Sequence, residues 1–167
     1  MPTLTTADAD YLRRAIDLSR HALDDQGKTP FGAILLPDGE IVSEGTSSVI
    51  ELIDPTAHAE VMAIWNAARK LGRHLLDGSI LYSSSEPCPL CLTACYWVHV
   101  SRLVFGATSY DVATYGFEDL QFYRELATGI EQRSMPEVSG DETLRGLAAD
   151  MLRSWADNYP EPVTPKY

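Results

Sequence analysis

The sequence lacks any apolar run close to the about 20 residues that a membrane-spanning helix requires. Its first twenty residues also lack the apolar core of a secretory signal peptide, because charged residues interrupt them at Asp8, Asp10, Arg13 and Arg14. Both absences argue against an integral membrane protein, and we expect a cytoplasmic one.

Basic residues are scarce. Thirteen lysines and arginines face twenty-four acidic residues, which gives a formal net charge of −11. Such a charge repels the phosphate backbone that supplies most of the affinity for nucleic acids. Acidic residues are in excess both before and after Ser109, so neither part of the chain forms a basic face. We therefore expect a small-molecule partner and no nucleic acid.

Cysteine is limited to three residues, all within the stretch SEPCPLCLTAC at 85–95. An odd number of closely spaced cysteines cannot form a complete internal disulfide framework. In a reducing compartment such spacing indicates metal binding or catalysis instead. The remaining composition, 45% hydrophobic and 22% charged residues, is typical of a globular chain.

The length of 167 residues is in the range of one domain, 1–167. Apolar periodicity predicts helices and strands in alternation. The predicted helices span 6–26, 57–71, 88–98, 119–127 and 141–155, and the predicted strands span 31–36, 40–50, 79–84 and 102–107. The first two strands flank the turn Pro37-Asp38-Gly39 and form a hairpin, whereas later strands are joined through helices. This order predicts an α/β fold with a mixed sheet covered by helices.

Cys88 and Cys91 have the two-residue gap that allows two thiolates to share one zinc ion. Pro87 suits the first turn of the following helix, whose N-terminus favours deprotonated thiols. Cys95 lies about 10 Å from Cys88 along a continuous helix, too far to share the ion, and is interpreted as a small buried hydrophobe. A further ligand has to be one of the histidines His21, His58, His74 and His99.

His58 is the histidine that stands in an H-x-E sequence, His58-Ala59-Glu60, at a second predicted helix start. An H-x-E pair followed by P-C-x-x-C is the signature of zinc deaminases that act on nucleobases. One nitrogen and two sulfurs leave the fourth tetrahedral position for water, as in catalytic zinc sites. Glu60 can then carry protons, although a solvated carboxylate at a helix start is the alternative reading.

Four stretches together resemble the cytidine-deaminase-like zinc-dependent superfamily, and specifically its bacterial guanine deaminase branch. They are TPFGAILLPDGEIVSEG, DPTAHAEVMAIWNAARKLG, ILYSSSEPCPLCLTACYW and VFGATSYDVATYGFEDLQFYREL. The resemblance implies a three-layer α/β/α sandwich with a mixed five-stranded sheet. It implies that His58, Cys88 and Cys91 hold one zinc ion per chain and that Glu60 moves protons. It also implies a homodimer, in which the C-terminal extension 129–167 closes over or is exchanged between active sites.

The resemblance assigns further residues to the site. Asp119 matches a second functional carboxylate of guanine deaminases, with Glu118 beside it as the alternative; both are also typical of a helix start. Phe31, Ala59 and Trp97 match positions that contact the base, although aromatic residues are more often part of a core. The C-terminal Tyr167 matches the segment that covers a neighbouring site.

One position departs from the family pattern. These enzymes commonly have asparagine in a Gly-x-Asn sequence after the second strand, where this chain has Gly45-Thr46-Ser47. An amide offers a donor and an acceptor to a purine edge, whereas serine offers one short rotatable hydroxyl. The predicted reaction is hydrolytic deamination, and the preferred substrate is guanine, which would give xanthine and ammonia. Cytosine, an aminotriazine or a nucleoside stays open as substrate, as do tRNA adenosine and a non-catalytic zinc-stabilised binding module.

Overall fold

A computed structural model describes residues 3–24, 28–117 and 119–158. The chain divides into two compact units, 1–127 and 128–167. The second unit begins one residue before the extension predicted at 129–167, and the single-domain organisation stays a prediction.

The first unit contains the sheet and most of the helices. Its elements are α1 (Thr6–Asp24), β1 (Gly32–Leu36), β2 (Ser43–Thr46), α2 (Val49–Leu52), α3 (Ala59–Leu71), β3 (Ile80–Ser85), α4 (Pro89–Trp97), β4 (Arg102–Ala107), α5 (Ser109–Thr114) and α6 (Asp119–Ala127). The second unit contains a short 3-10 helix (Ile130–Gln132) and α7 (Glu142–Asn158). Among the described residues, no helix combines the length and apolar character that crossing a bilayer requires.

Within the described residues, one mixed sheet has four strands in the order β2-β1-β3-β4. β1 pairs antiparallel with both β2 and β3, and β3 pairs parallel with β4. The predicted α/β class and mixed sheet are confirmed. The fifth strand that the resemblance implied is not found in the described part of the chain.

Both faces of the sheet are covered by helices, as the burial of β1 shows. Ala33 and Leu35 pack in a core cluster with residues of α3 and with Cys95 of α4. Ile34 and Leu36 point to the opposite face and pack in a second cluster with Ala15 of α1. Because alternate residues of a strand face opposite sides, a strand buried on both faces reads as the continuous apolar run FGAILL.

Gly45 in β2 fixes how closely α3 approaches the sheet. A Cβ atom at this position would lie 2.2 Å from the carbonyl oxygen of Ala59 and 2.5 Å from the amide nitrogen of Ala63. Helix backbone therefore lies directly against strand backbone, which only glycine permits. This contact sets the position of the N-terminus of α3.

The carboxylate of Asp8 ties α1 to the sheet from the other face. It accepts two hydrogen bonds of 2.8 Å from the guanidinium of Arg102 and one of 2.7 Å from the hydroxyl of Tyr82. The Thr5 amide and hydroxyl donate to it as well. Asp8 is 2% exposed, and the hydrogen bonds from Arg102 and Thr5 hold its pKa well below its usual range. In the sequence, Asp8 stood out only as one of the charges that interrupt the first twenty residues, so this contact was not predicted.

Several element boundaries differ from the prediction. The second strand ends at Thr46 instead of 50, because the Ser48 amide turns away to bond the Ala57 carbonyl, and α2 follows. Pro89, not Pro87, occupies the first turn of α4, and Pro87 is fully buried before it. The first helix is described to Asp24, and the predicted end at 25–26 with Gly27 lies outside the described residues.

Candidate functional site

Two helix starts face each other at one end of the sheet. His58 is the N-cap residue of α3 and Cys88 is the N-cap residue of α4, both with extended backbone dihedrals. Neither side chain caps its own helix, so both are available to a shared ligand. Cys91 lies one turn into α4, on the same side as Cys88.

The three predicted ligands form a compact triangle. The Nδ1 atom of His58 lies 3.5 Å from each sulfur, and the sulfurs of Cys88 and Cys91 lie 3.7 Å apart. Bonds of about 2.3 Å to sulfur and about 2.0 Å to nitrogen at tetrahedral angles place the sulfurs about 3.8 Å apart and each sulfur about 3.5 Å from the nitrogen. The donor set and its spacing therefore fit a zinc ion. These residues are also the one His/Cys/Asp/Glu group with metal-ligand spacing among the described residues.

The thiols are electrostatically coupled. A hydrogen bond from Cys91 lowers the pKa of Cys88, and the His58 ring lowers it further. The same interaction raises the pKa of Cys91. A divalent cation between the sulfurs favours the thiolate form of both.

Glu60 lies in the first turn of α3, two residues beyond His58, and is 5% exposed. The hydroxyl of Ser83 in β3 donates a 2.9 Å hydrogen bond to its Oε1 atom. Burial raises the pKa of the Glu60 carboxyl, while the Ser83 hydrogen bond opposes that rise. A raised pKa brings a carboxyl closer to the operating pH, which suits a group that accepts and returns a proton. The alternative reading of a solvated carboxylate is therefore wrong for this buried side chain.

A cavity of about 130 Å³ opens next to these groups. Two aromatic rings form part of its wall: Phe31 and Phe117 contact edge to face, with ring centroids 4.9 Å apart. His58, Glu60 and Cys88 form the polar end. The combination of an apolar wall with a few convergent polar groups is typical of a small-molecule site.

Most of the other predicted site residues border this cavity. Phe31, Ser47, Ala59 and Asp119 all line it. Desolvation raises the pKa of Asp119, and the nearby Cys88 thiolate raises it further.

Among the described residues, one predicted base contact is not brought to the cavity. Trp97 is the last residue of α4, is 61% exposed and is not part of the wall within the described residues. Tyr167 and Glu118 lie outside the described residues. Cys95 is 4% exposed in the core, so its predicted packing role is confirmed.

Sequence reasoning missed several groups at the site. Thr29, Ser85, Glu86 and Phe117 line the cavity, and Ser83 contacts Glu60. Glu86 also accepts a 2.7 Å hydrogen bond from the Ser109 amide through Oε2. For residues 83–86 the sequence did offer one signal: they lie at the end of the predicted strand that leads into the helix starting at Cys88. Isolated serines and threonines carry no spacing pattern of their own.

Comparison with known proteins gives a consistent picture. Residues 5–107 match the family model of the cytidine and deoxycytidylate deaminase zinc-binding region. The guanine deaminase of Bacillus subtilis is 42% identical over 126 residues, which is 75% of this chain and 81% of that protein. A tRNA-specific adenosine deaminase of Aquifex aeolicus is 40% identical over 97 residues, 58% of this chain and 64% of that protein.

The fold agrees with a solved structure. The X-ray structure of guanine deaminase from Bacillus subtilis superposes with a TM-score of 0.80 at 39% sequence identity. The match covers 93% of this chain and 98% of that one.

Proposed function

Because the chain belongs to the cytidine and deoxycytidylate deaminase zinc-binding family, we propose that it hydrolyses guanine to xanthine and ammonia. It would thus be a hydrolase acting on a cyclic amidine, with zinc as its cofactor. The guanine deaminase relative supports this substrate because its similarity extends over most of both chains.

The observation that carries the proposal is the triangle of His58, Cys88 and Cys91 beside the buried carboxyl of Glu60. Three protein ligands would leave the fourth position of a tetrahedral zinc ion for water, as in catalytic sites, and two of them, His58 and Cys88, line the cavity. A purely structural zinc site is closed by four protein ligands. A non-catalytic binding module has no need for a carboxyl at this place.

Zinc bound by these ligands lowers the pKa of a water molecule and so supplies a nucleophile near neutral pH. In the reaction, the water oxygen bonds to C2 of guanine and the bond from C2 to the exocyclic nitrogen breaks. Glu60 accepts one proton from the attacking water and delivers it to a ring nitrogen, then accepts the proton of the new C2 hydroxyl and delivers it to the departing amine, which leaves a carbonyl at C2. The hydrogen bond from the Ser83 hydroxyl to Oε1 holds the Glu60 carboxyl in position for this transfer.

The rest of the cavity positions the base. Phe31 and Phe117 offer an apolar wall against which a planar ring can pack. Asp119 is placed to orient the exocyclic amine or to relay a proton. Trp97 keeps its proposed role as a base contact, and Tyr167 keeps its proposed role in the segment that closes over a neighbouring active site.

The direct test is ammonia release by purified, zinc-loaded protein. We expect turnover of guanine, and a panel of cytosine, aminotriazines, nucleosides and an adenosine-containing anticodon stem-loop distinguishes the other substrates. Glu60→Gln should lose at least about 100-fold in kcat while it keeps its zinc, because only the proton carrier is removed. Glu142→Gln, at an exposed position of α7, is the matched control. No turnover of any panel member would overturn the proposal.

A second candidate is deamination of adenosine in tRNA, which the Aquifex relative favours. That similarity covers 58% of the chain and 64% of the relative, less than the guanine deaminase match. The net charge of −11 also opposes binding of an RNA backbone. A tight, salt-sensitive complex with tRNA would favour this candidate over guanine.

We further propose a homodimer. Leu90 and Tyr96 of α4 are 42% and 65% exposed, although they are large apolar or aromatic side chains. In the second unit, Leu144, Leu147 and Met151 form an exposed apolar stripe at helical spacing on α7. Light scattering should give twice the chain mass of 18.4 kDa, and a monomer at micromolar concentration would refute it.

We also propose a cytoplasmic location, because reducing conditions keep the thiol ligands free.

A further inference from the structure

Two hydroxyl groups meet on the cavity wall. The Oγ1 atom of Thr29 lies 2.7 Å from the Oγ atom of Ser47, and both residues line the cavity. Thr29 precedes β1 and Ser47 follows β2, so the antiparallel pairing of these strands brings them together. The Ser47 amide bonds the Phe31 carbonyl at 3.3 Å, and Ser47 is 5% exposed. The pair is thus held in place by the sheet.

The hydrogen-bonding capacity of the pair follows from counting its protons. Two hydroxyls carry two protons and several acceptor lone pairs. The 2.7 Å contact uses one proton and one lone pair. In the described part of the chain these hydroxyls make no other hydrogen bond. The pair therefore has one proton to donate and lone pairs to accept, and both can be directed into the cavity.

We propose that Thr29 and Ser47 act as one recognition unit that replaces the carboxamide expected at this position and binds the N1–H and C6=O edge of guanine. This inference rests on the proposed function. Each residue contacts the base edge through the proton or lone pair that the hydrogen bond between them leaves over, and that bond fixes the rotation of both hydroxyls. The serine in place of asparagine then no longer argues against guanine, because a second residue supplies the missing group.

The pair can exchange its donor and acceptor roles. Rotation of both O–H bonds reverses the hydrogen bond between them without moving either oxygen atom. The pair can therefore also bind an edge with the two roles exchanged. 2,6-Diaminopurine has this edge, with an acceptor at N1 and a donor on C6, and it keeps the amino group on C2. We expect its kcat/KM to be within about tenfold of that of guanine, since the pair can hydrogen-bond either edge.

The first test removes one hydroxyl without changing shape. Thr29→Val should raise KM for guanine about five- to tenfold and leave kcat within about twofold, because the lost hydrogen bond does not involve the reacting atoms. Thr29→Ser keeps the hydroxyl and should restore the wild-type KM. Ser47→Ala should be at least as impaired as Thr29→Val. The double variant should be no worse than Ser47→Ala alone, because the two residues act as a unit.

The second test installs the amide. Ser47→Asn in the Thr29→Val background should keep guanine turnover and restore KM relative to Thr29→Val, because one amide supplies the donor and the acceptor that the pair provided. Melting temperatures of all variants identify any that fail to fold, and if Thr29→Val is one of them, the raised KM expected of Ser47→Ala carries the comparison with wild type.

The outcomes separate the two proposals. Wild-type turnover of guanine with an unchanged KM in Thr29→Val, or additive effects in the double variant, would overturn the recognition unit and leave the proposed function intact. Absence of guanine turnover by the wild type would overturn both.

Discussion

Replacing Gly45 with alanine should disturb the active site by displacing the start of α3, whose first turn carries Glu60. The new Cβ atom would lie 2.2 Å from the carbonyl oxygen of Ala59 and 2.5 Å from the amide nitrogen of Ala63. Both are backbone atoms, so no side chain can rotate away. Restoring ordinary van der Waals separation requires the helix to move by about 1 Å. Ala59 lies between His58 and Glu60, and the displacement would therefore reach both.

The expected magnitudes follow from this geometry. Overpacking of a well-packed contact costs about 1–3 kcal/mol. At about 2–4 °C per kcal/mol for a chain of this length, the melting temperature should fall by about 2–12 °C. A displacement of about 1 Å at a catalytic constellation costs about 100-fold in rate, so kcat/KM for guanine should fall by that order.

Thermal unfolding monitored by circular dichroism and ammonia release measure the two effects separately. Gly146→Ala in α7 is the matched control, because no atom lies within 4 Å of the added Cβ and alanine favours a helix. Its melting temperature should not fall. Wild-type stability in Gly45→Ala would refute the close backbone packing. A lower melting temperature with unchanged kcat/KM would refute the link from this contact to the catalytic groups.

Three further predictions concern stability and metal binding. Asp8→Asn should be less stable than wild type at neutral pH, and the difference in melting temperature should shrink below about pH 4. The reason is that the folded-state pKa of Asp8 is lowered, so its stabilisation exists above the unfolded-state pKa of about 3.9 and is lost as the pH falls toward the folded value. A pH-independent difference would contradict this. Cys95→Ala should lose about 1 kcal/mol of stability and keep its zinc content, whereas Cys91→Ser should lose zinc and activity; metal analysis distinguishes them. A chelator should lower the melting temperature of wild type, because zinc binds the folded state, and zinc should restore it while magnesium should not.

The strands and main helices were predictable because their signals are local. A strand buried on both faces reads as a continuous apolar run, and the amphipathic helix after His58 ends at Gly72, which has a left-handed backbone. The zinc ligands were predictable for another reason: a metal demands particular residue types at particular spacings. Cys88 and Cys91, with His58 upstream, show these residue types and spacings directly in the sequence.

The remaining parts depend on long-range contacts that leave no local pattern. Thr29 and Ser47 are 18 residues apart and meet only through strand pairing. Ser83 reaches Glu60 for a similar reason. The short helix α2 was missed because the alternation of the preceding strand continues into its first residues. The strand ends where the Ser48 amide donates a hydrogen bond to the distant Ala57 carbonyl, which the local pattern does not reveal.

The ion pair between Asp8 and Arg102 also has a consequence for synthesis on the ribosome. The two residues are 94 positions apart, and Arg102 belongs to the fourth strand. Translation at about 5–20 residues per second separates their synthesis by roughly 5–20 s. Until then the Asp8 carboxylate has no guanidinium partner, and burying it alone would be costly. We therefore expect the first helix to stay undocked on the nascent chain until the fourth strand has emerged.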